Sequence, residues 1–263
     1  LSQMTVEEKL GYIGGIDWMY TKSIDRLGIH RMRMSDGPQG IGTKGKSTAY
    51  PATVTLAATW NENLAYQYGK ALGRDCRARN INVILGPAVN IYRAPMCGRN
   101  FEYMGEDPYL TSRICVGYIK GVQDQGVMAT VKHFVANNSD YDRNNISNDI
   151  DERTLNEIYF PAYKAAIQEA EVGAIMTSYN LINGVHAANN YDLCTETARN
   201  EWGFKGMIMT DWTTTEQGED CTASGCMRAG NDLVMPGAFS DRDNLNQELA
   251  DGTLSMDDLK ACI

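Results

Sequence analysis

Short apolar runs that end in polar residues recur along this chain, separated by stretches with helical spacing. They are Arg31 to Asp36, Ile81 to Pro87, Val127 to His133, Ala174 to Tyr179, Gly206 to Asp211 and Asp232 to Pro236. Runs of this length bounded by turn formers read as buried parallel strands. Between them, Thr5-Val6-Glu7-Glu8 has capping-box spacing and predicts a short first helix, followed by a glycine-rich connection. Asn61 predicts a helix to about Arg79 with Leu64, Tyr68, Ala71, Leu72 and Cys76 on one face. Asp107-Pro108 opens another, ending near Gly126, and Asp151 caps a long one with Leu155, Ile158, Tyr159, Ala162, Ala166 and Ile167 inward. A helix after Tyr191 and a last one from Ser255 complete the alternation.

Alternation of this kind predicts an α/β fold, a (β/α)8 TIM-like barrel with room for an irregular first βα unit. In such barrels the C-terminal ends of the strands converge on one face, where polar side chains do chemistry. Asp36 at an Asp-Gly-Pro turn, Lys132-His133 and above all Asp211 fall at such ends. Asp211 closes a run of apolar and small residues and precedes Trp212, which makes it the centre of a candidate enzyme site. The polar stretch from Asn90 to Asp107 is long for a connection in a compact domain, and loops of that length are commonly functional.

One motif points elsewhere. Gly40-Ile41-Gly42-Thr43-Lys44-Gly45-Lys46-Ser47 fits GxxxxGK[ST] and would by itself suggest a nucleotide-binding module. That motif needs a helix opening at the lysine and serine. Here Pro51 follows closely and Ala52 to Leu56 reads as extended, so a glycine-lysine loop over the barrel mouth is expected instead.

Composition changes the picture in few places. With 263 residues, 43% of them hydrophobic, the chain can bury a sizeable core. A net charge of -9 and scattered Lys and Arg argue against nucleic acid as a partner, and no apolar stretch is long enough to suggest a membrane span. Seven cysteines without a CxxC lean towards a reducing compartment, although Cys221 and Cys226 are near enough in sequence to bridge. His30, His133 and His186 are far apart and unpaired with cysteine at ligand spacing, so no metal and no cofactor is expected.

Taken together, Asp36-Gly37-Pro38, Gly98-Arg99-Asn100-Phe101-Glu102, Lys132-His133-Phe134, Ser178-Tyr179-Asn180 and Met209-Thr210-Asp211-Trp212 closely resemble the barrel domain of glycoside hydrolase family 3, β-glucosidase type. The resemblance runs from about Met4 to Gly237 in consistent order. It implies a retaining exo-acting β-glycosidase that releases terminal β-D-glucose from β-linked glucosides or short oligosaccharides by double displacement. Asp211 would be the nucleophile. Asp36, Arg99, Lys132, His133 and Arg143 would hold sugar hydroxyls, Tyr179 would lie beside the nucleophile, and Trp212 would wall the sugar pocket.

Residues 1–263 would then be one catalytic barrel domain cut from a longer chain. Its acid/base glutamate would come from a second α/β sandwich domain that this sequence does not contain. Glu216 and Glu219 are the local acids nearest to Asp211 in sequence. One departure is Gly42, where many relatives carry arginine, with Lys44 as the nearby substitute cation. β-Xylosidase and β-N-acetylglucosaminidase remain alternatives within the family, and a non-catalytic sugar-binding module is the alternative outside it. Nearby Lys132 and Arg99 are expected to lower the pKa of Asp211.

Overall fold

The computed structural model describes residues 1–42 and 45–263. Thr5 and Glu8 form the reciprocal cap of α1 (Val6–Tyr12). The glycine-rich connection after it is a hairpin, β1 (Gly15–Ile16) with β2 (Tyr20–Thr21), which periodicity alone did not reveal because so few residues alternate. β3 (Met34–Asp36), α2 (Thr53–Ala57), α3 (Glu62–Ala78), β4 (Val83–Leu85), α4 (Pro108–Gln123) and β5 (Met128–Phe134) follow. The small strand β6 (Ser147–Asn148) leads to α5 (Glu152–Thr154), a π-type turn over Leu155–Tyr159 and α6 (Pro161–Gln168). After β7 (Ala174–Thr177), the hairpin β8 (Leu181–Ile182) and β9 (Val185–His186) joins β6 in a small outlying sheet. A π-type helix over Asp192–Glu201 then precedes β10 (Met207–Met209). Helices α7 (Thr214–Gln217), α8 (Ala223–Ala229), α9 (Phe239–Asp251) and α10 (Met256–Ala261) complete the chain.

The parallel sheet has the order β10-β7-β5-β4-β3. Single bridges and the β1–β2 ladder carry it around: Met209 pairs Leu233, Val234 pairs Gly14, β1 pairs β2, and Tyr20 pairs Arg33 just before β3. The fold is thus TIM-like, with an antiparallel hairpin in place of a regular first βα unit. The expected strand from Asp232 to Pro236 contributes bridges rather than a ladder.

Strand parity then decides which side chains enter the ring. Met34, Val83, Leu85, Ala174, Met176, Met209, Leu233 and Met235 pack together inside it, while Ile84, Ile175 and Ile208 join the larger shell against the helices. Asp36, two residues beyond Met34, and Asp211, two beyond Met209, take the inner parity, so both lie over the mouth.

Three expectations about the helices are corrected. Ala52 to Leu56 is not extended, because Thr53 donates its hydroxyl to the Glu102 carbonyl and the segment docks as α2 on the loop after β4. Leu64 is exposed, and α3 buries Ala65, Tyr68, Gly69, Leu72, Gly73 and Cys76. The glycines rotate the face: a Cβ on Gly69 would stand 2.1 Å from the Tyr118 carbonyl oxygen, and one on Gly121 equally close to that of Tyr66. α3 and α4 therefore meet backbone to backbone. The long helix after Asp151 is real but broken, with Pro161 starting its second part. Cys221 and Cys226 do not bridge; all seven cysteines are buried thiols.

Candidate active site

Asp211 sits just beyond β10, 7% exposed, at the inner position. Its Oδ1 accepts the Trp212 amide at 2.8 Å. Its Oδ2 has no hydrogen-bond partner among the described residues, yet lies 3.5 Å from His133 Nε2 and 3.9 Å from Arg99 Nη1. A buried carboxylate oxygen surrounded by donors but bonded to none is an unfilled acceptor aimed at whatever enters the mouth.

Each neighbour is held there by local structure. Arg99 comes from the loop after β4, where its Nε donates to Glu102 Oε1 across one turn. Lys132 occupies the inner parity of β5 and its Nζ lies 4.0 Å from Glu102 Oε2, so one buried carboxylate ties two cations together. His133 follows; the Asn90 Oδ1 accepts the His133 amide and the Asn90 Nδ2 donates to the His133 carbonyl, each at 3.0 Å. Tyr163 donates to that same carbonyl. Arg143, from the loop after β5, stacks its guanidinium over the Tyr179 ring at 4.2 Å and pairs with Asp140 at 3.4 Å.

Charge states follow from burial and neighbours. His133 is held well below the usual histidine range by burial, then by Arg99, Lys132 and Arg143, so it faces Asp211 as neutral imidazole. Burial pushes the Asp211 carboxyl upward, and Arg99, Lys132, the Trp212 amide and Tyr179 pull it back only in part. The expected lowering is thus reversed in sign: the cations act as anticipated, but desolvation is larger. Tyr179 is raised by burial and then by the Asp211 carboxylate. Arg99 stays charged because Glu102, Tyr103 and Asp211 outweigh the cost of burying it.

Of the residues singled out in the sequence, Asp211, Arg99, Lys132, His133, Arg143 and Tyr179 form one contact network, and Trp212 is packed beside it in the ring interior. Asp36 lies at the same end of the sheet on β3, exposed rather than joined to that network. Glu102 was overlooked as a site residue. Its signal was the Arg99-Asn100-Phe101-Glu102 spacing, which lets an acid reach back to the arginine. Glu216 and Glu219 are exposed, and Glu219 engages His186 and Asn145 only through its backbone. Lys44 falls outside the described residues. Gly42 lies against Asp36, whose Cβ is 3.1 Å from where a side chain at 42 would begin. The GxxxxGK[ST] stretch opens no helix after Lys46-Ser47; residues 46–52 are irregular and the next helix starts at Thr53. The phosphate-binding geometry is missing there.

Residues 14–263 match the family profile described as the glycosyl hydrolase family 3 N terminal domain. A β-glucosidase of Rhizobium radiobacter is 44% identical over 248 residues, covering 92% of this chain and 30% of that protein. An exo-α-(1→6)-L-arabinopyranosidase of Bifidobacterium longum is 37% identical over 268 residues, covering 97% of this chain and 35% of that protein. Among solved structures, β-glucosidase 3B of Thermotoga neapolitana in complex with glucose superposes with a TM-score of 0.93 at 34% identity, over 99% of this chain and 40% of that one. The chain therefore spans about a third of the length of the relatives it matches.

Proposed function

The chain belongs to glycosyl hydrolase family 3, and from that premise we propose that it is the nucleophile-bearing barrel of a retaining, exo-acting β-glucosidase. The observation that carries the reading is the buried, unbonded Asp211 Oδ2 set among Arg99, Lys132 and His133. In the first step Oδ2 attacks the anomeric carbon. A carbon–oxygen ester bond forms as the glycosidic bond breaks, and the aglycone oxygen leaves with the electron pair and takes a proton. In the second step the group that gave up the first proton takes one back from water as the water oxygen adds to the anomeric carbon, the ester bond breaks, and Asp211 leaves as a carboxylate with the β configuration restored.

The other residues divide by charge. Arg99 and Lys132 donate to hydroxyls of the terminal sugar, and neutral His133 and Arg143 add further donors. Asp36 accepts from hydroxyls at the rim, so analogues that lack them leave its carboxylate unsatisfied. Tyr179 stands beside the nucleophile, and Trp212 supplies an apolar wall. Glu102 holds Arg99 and Lys132 in register, a positioning role.

The proton donor must stand about 5 to 5.5 Å from the nucleophile in a retaining enzyme. Glu102 is committed to two cations, and Glu216 and Glu219 are turned to solvent. We therefore assign the acid/base to a second, α/β sandwich domain of a longer polypeptide, with residues 1–263 as its catalytic barrel. A pentopyranosidase is the second reading, favoured by the similarity to the arabinopyranosidase over nearly the whole chain. The test is turnover of aryl β-glucoside against aryl β-xyloside and aryl α-L-arabinopyranoside by the full-length protein, wild type and Asp211→Asn. The glucoside should be preferred and Asp211→Asn should lower its kcat by about 10⁴ or more. Preference for a pentoside would move the substrate to the second reading, and an active Asp211→Asn would remove the mechanism.

A further inference from the structure

Three loops around the mouth are joined by a side chain that stands outside the network of cations and Asp211. His186, on β9, is 4% exposed. Its Nε2 lies 2.6 Å from the Glu219 carbonyl oxygen, in the segment after α7, and its Nδ1 lies 3.2 Å from the carbonyl oxygen of Tyr179, two residues beyond β7. A carbonyl oxygen can only accept, so the ring nitrogens are the donors, one of them in either neutral tautomer and both in the imidazolium. The approach is close: a Cβ on Gly218 would stand 2.8 Å from His186 Cε1, so a glycine at 218 lets the segment come up to the ring.

The same segment holds the loop after β5. Asn144 Nδ2 donates to Gln217 Oε1 at 3.1 Å, and the Glu219 amide donates to Asn145 Oδ1 at 3.2 Å. Both asparagines follow directly on Arg143, whose guanidinium stacks over the Tyr179 ring. Beyond them, β6 pairs with β8, and β8 pairs with β9 so that Leu181 stands opposite His186. The contacts close a circuit that runs from Tyr179 through His186, Glu219 and Asn145 to Arg143 and back to the Tyr179 ring. Each member is held from two sides, and supporting contacts of this kind keep a site in its productive geometry. We propose that His186 is a positioning residue that fixes Arg143 and Tyr179 at the sugar site through this circuit, with the small sheet of β6, β8 and β9 as its frame. The inference rests on the β-glucosidase reading above. Both bonds of His186 go to backbone, so its effect on substrate passes through the loops it joins. Once the tie to Glu219 is lost, the loop that carries Arg143 loses the segment it leans on, and the guanidinium is no longer aimed at one place.

A double-mutant cycle on the full-length protein, with 4-nitrophenyl β-D-glucoside as substrate, tests this coupling. His186→Phe should lower kcat/KM about threefold to tenfold, the range of one buried hydrogen bond, mainly by raising KM. In an Arg143→Ala background the same substitution should change it by less than about twofold. In an Asp36→Asn background, altered on β3 and outside the circuit, the full factor should reappear. His186→Gln, which keeps an amide N–H for the Glu219 carbonyl, should retain most of the activity. Asn145→Ala, at an exposed position, opens the circuit at a second point. It should show the same loss, absorbed in the same background, and it carries the test if His186→Phe fails to fold. Equal losses in all three backgrounds would make His186 a support of the fold alone and overturn the assignment, as would no loss from either substitution. A wild type that turns over no aryl glycoside would instead remove the glycosidase reading, and the positioning role with it.

Discussion

At Asp211 the proposed catalytic role and a folding penalty fall on one carboxylate. Its pKa is raised by burial above the ordinary aspartate value of 3.8, so the folded protein binds that proton more tightly than the unfolded chain does. The associated stability is complete below the unfolded pKa and is lost as pH rises through the folded one. Asp211→Asn should therefore melt higher than wild type near neutral pH, with the gap closing as the pH falls through the raised folded pKa and closed by about 3.8; thermal melts across that range check it. Activity has the opposite slope. As the proposed nucleophile, Asp211 works only when ionised, so kcat/KM should fall as pH drops through the raised pKa, and the acid limb should lie above that of a free aspartate. Glu102→Gln should leave Arg99 and Lys132 without their shared counter-charge and lower kcat/KM about tenfold to a hundredfold, mainly through KM, because the sugar grip loosens while the nucleophile stays.

Among the elements, what was legible depended on whether a segment's own pattern decided its structure. The α1 cap, the Asn61 and Asp107 starts and the strands that lead to Asp36, His133 and Asp211 were readable because capping chemistry and burial parity are local signals. The α2 segment misled because Thr53, Val54 and Thr55 are β-branched and only the docking of Thr53 on the Glu102 carbonyl makes it helical. The α3 face was read one step out because glycine does not count as apolar, although Gly69 and Gly73 form its contact with α4. The α3–α4 seam predicts its own weak point. Gly69→Ala places a methyl against the Tyr118 carbonyl and should cost about 1–3 kcal/mol, the range of core overpacking, read as a shift in the urea midpoint. Gly105→Ala, where nothing lies within 4 Å, separates crowding from the strain of its φ of +124°. In the site itself, Asp211, Lys132 and His133 were visible as strand ends, whereas Glu102 was hidden in a loop, since its role arises from the fold that brings Lys132 to it.

For the whole molecule, the barrel collects cations and one orphaned carboxylate oxygen at a single face, while the chain spans 30% of the β-glucosidase it resembles at 44% identity. The proposal above puts the nucleophile in this chain and the proton donor outside it. Cleavage of good leaving groups should then depend little on the missing acid, whereas cellobiose should depend on it strongly. Most direct is covalent labelling of the 263-residue chain with 2,4-dinitrophenyl 2-deoxy-2-fluoro-β-glucoside, followed by peptide mass mapping. A fluoroglucosyl ester on the peptide that contains Asp211, absent in Asp211→Asn, is the expected result; an ester on another carboxylate, or the same labelling in Asp211→Asn, would contradict the account.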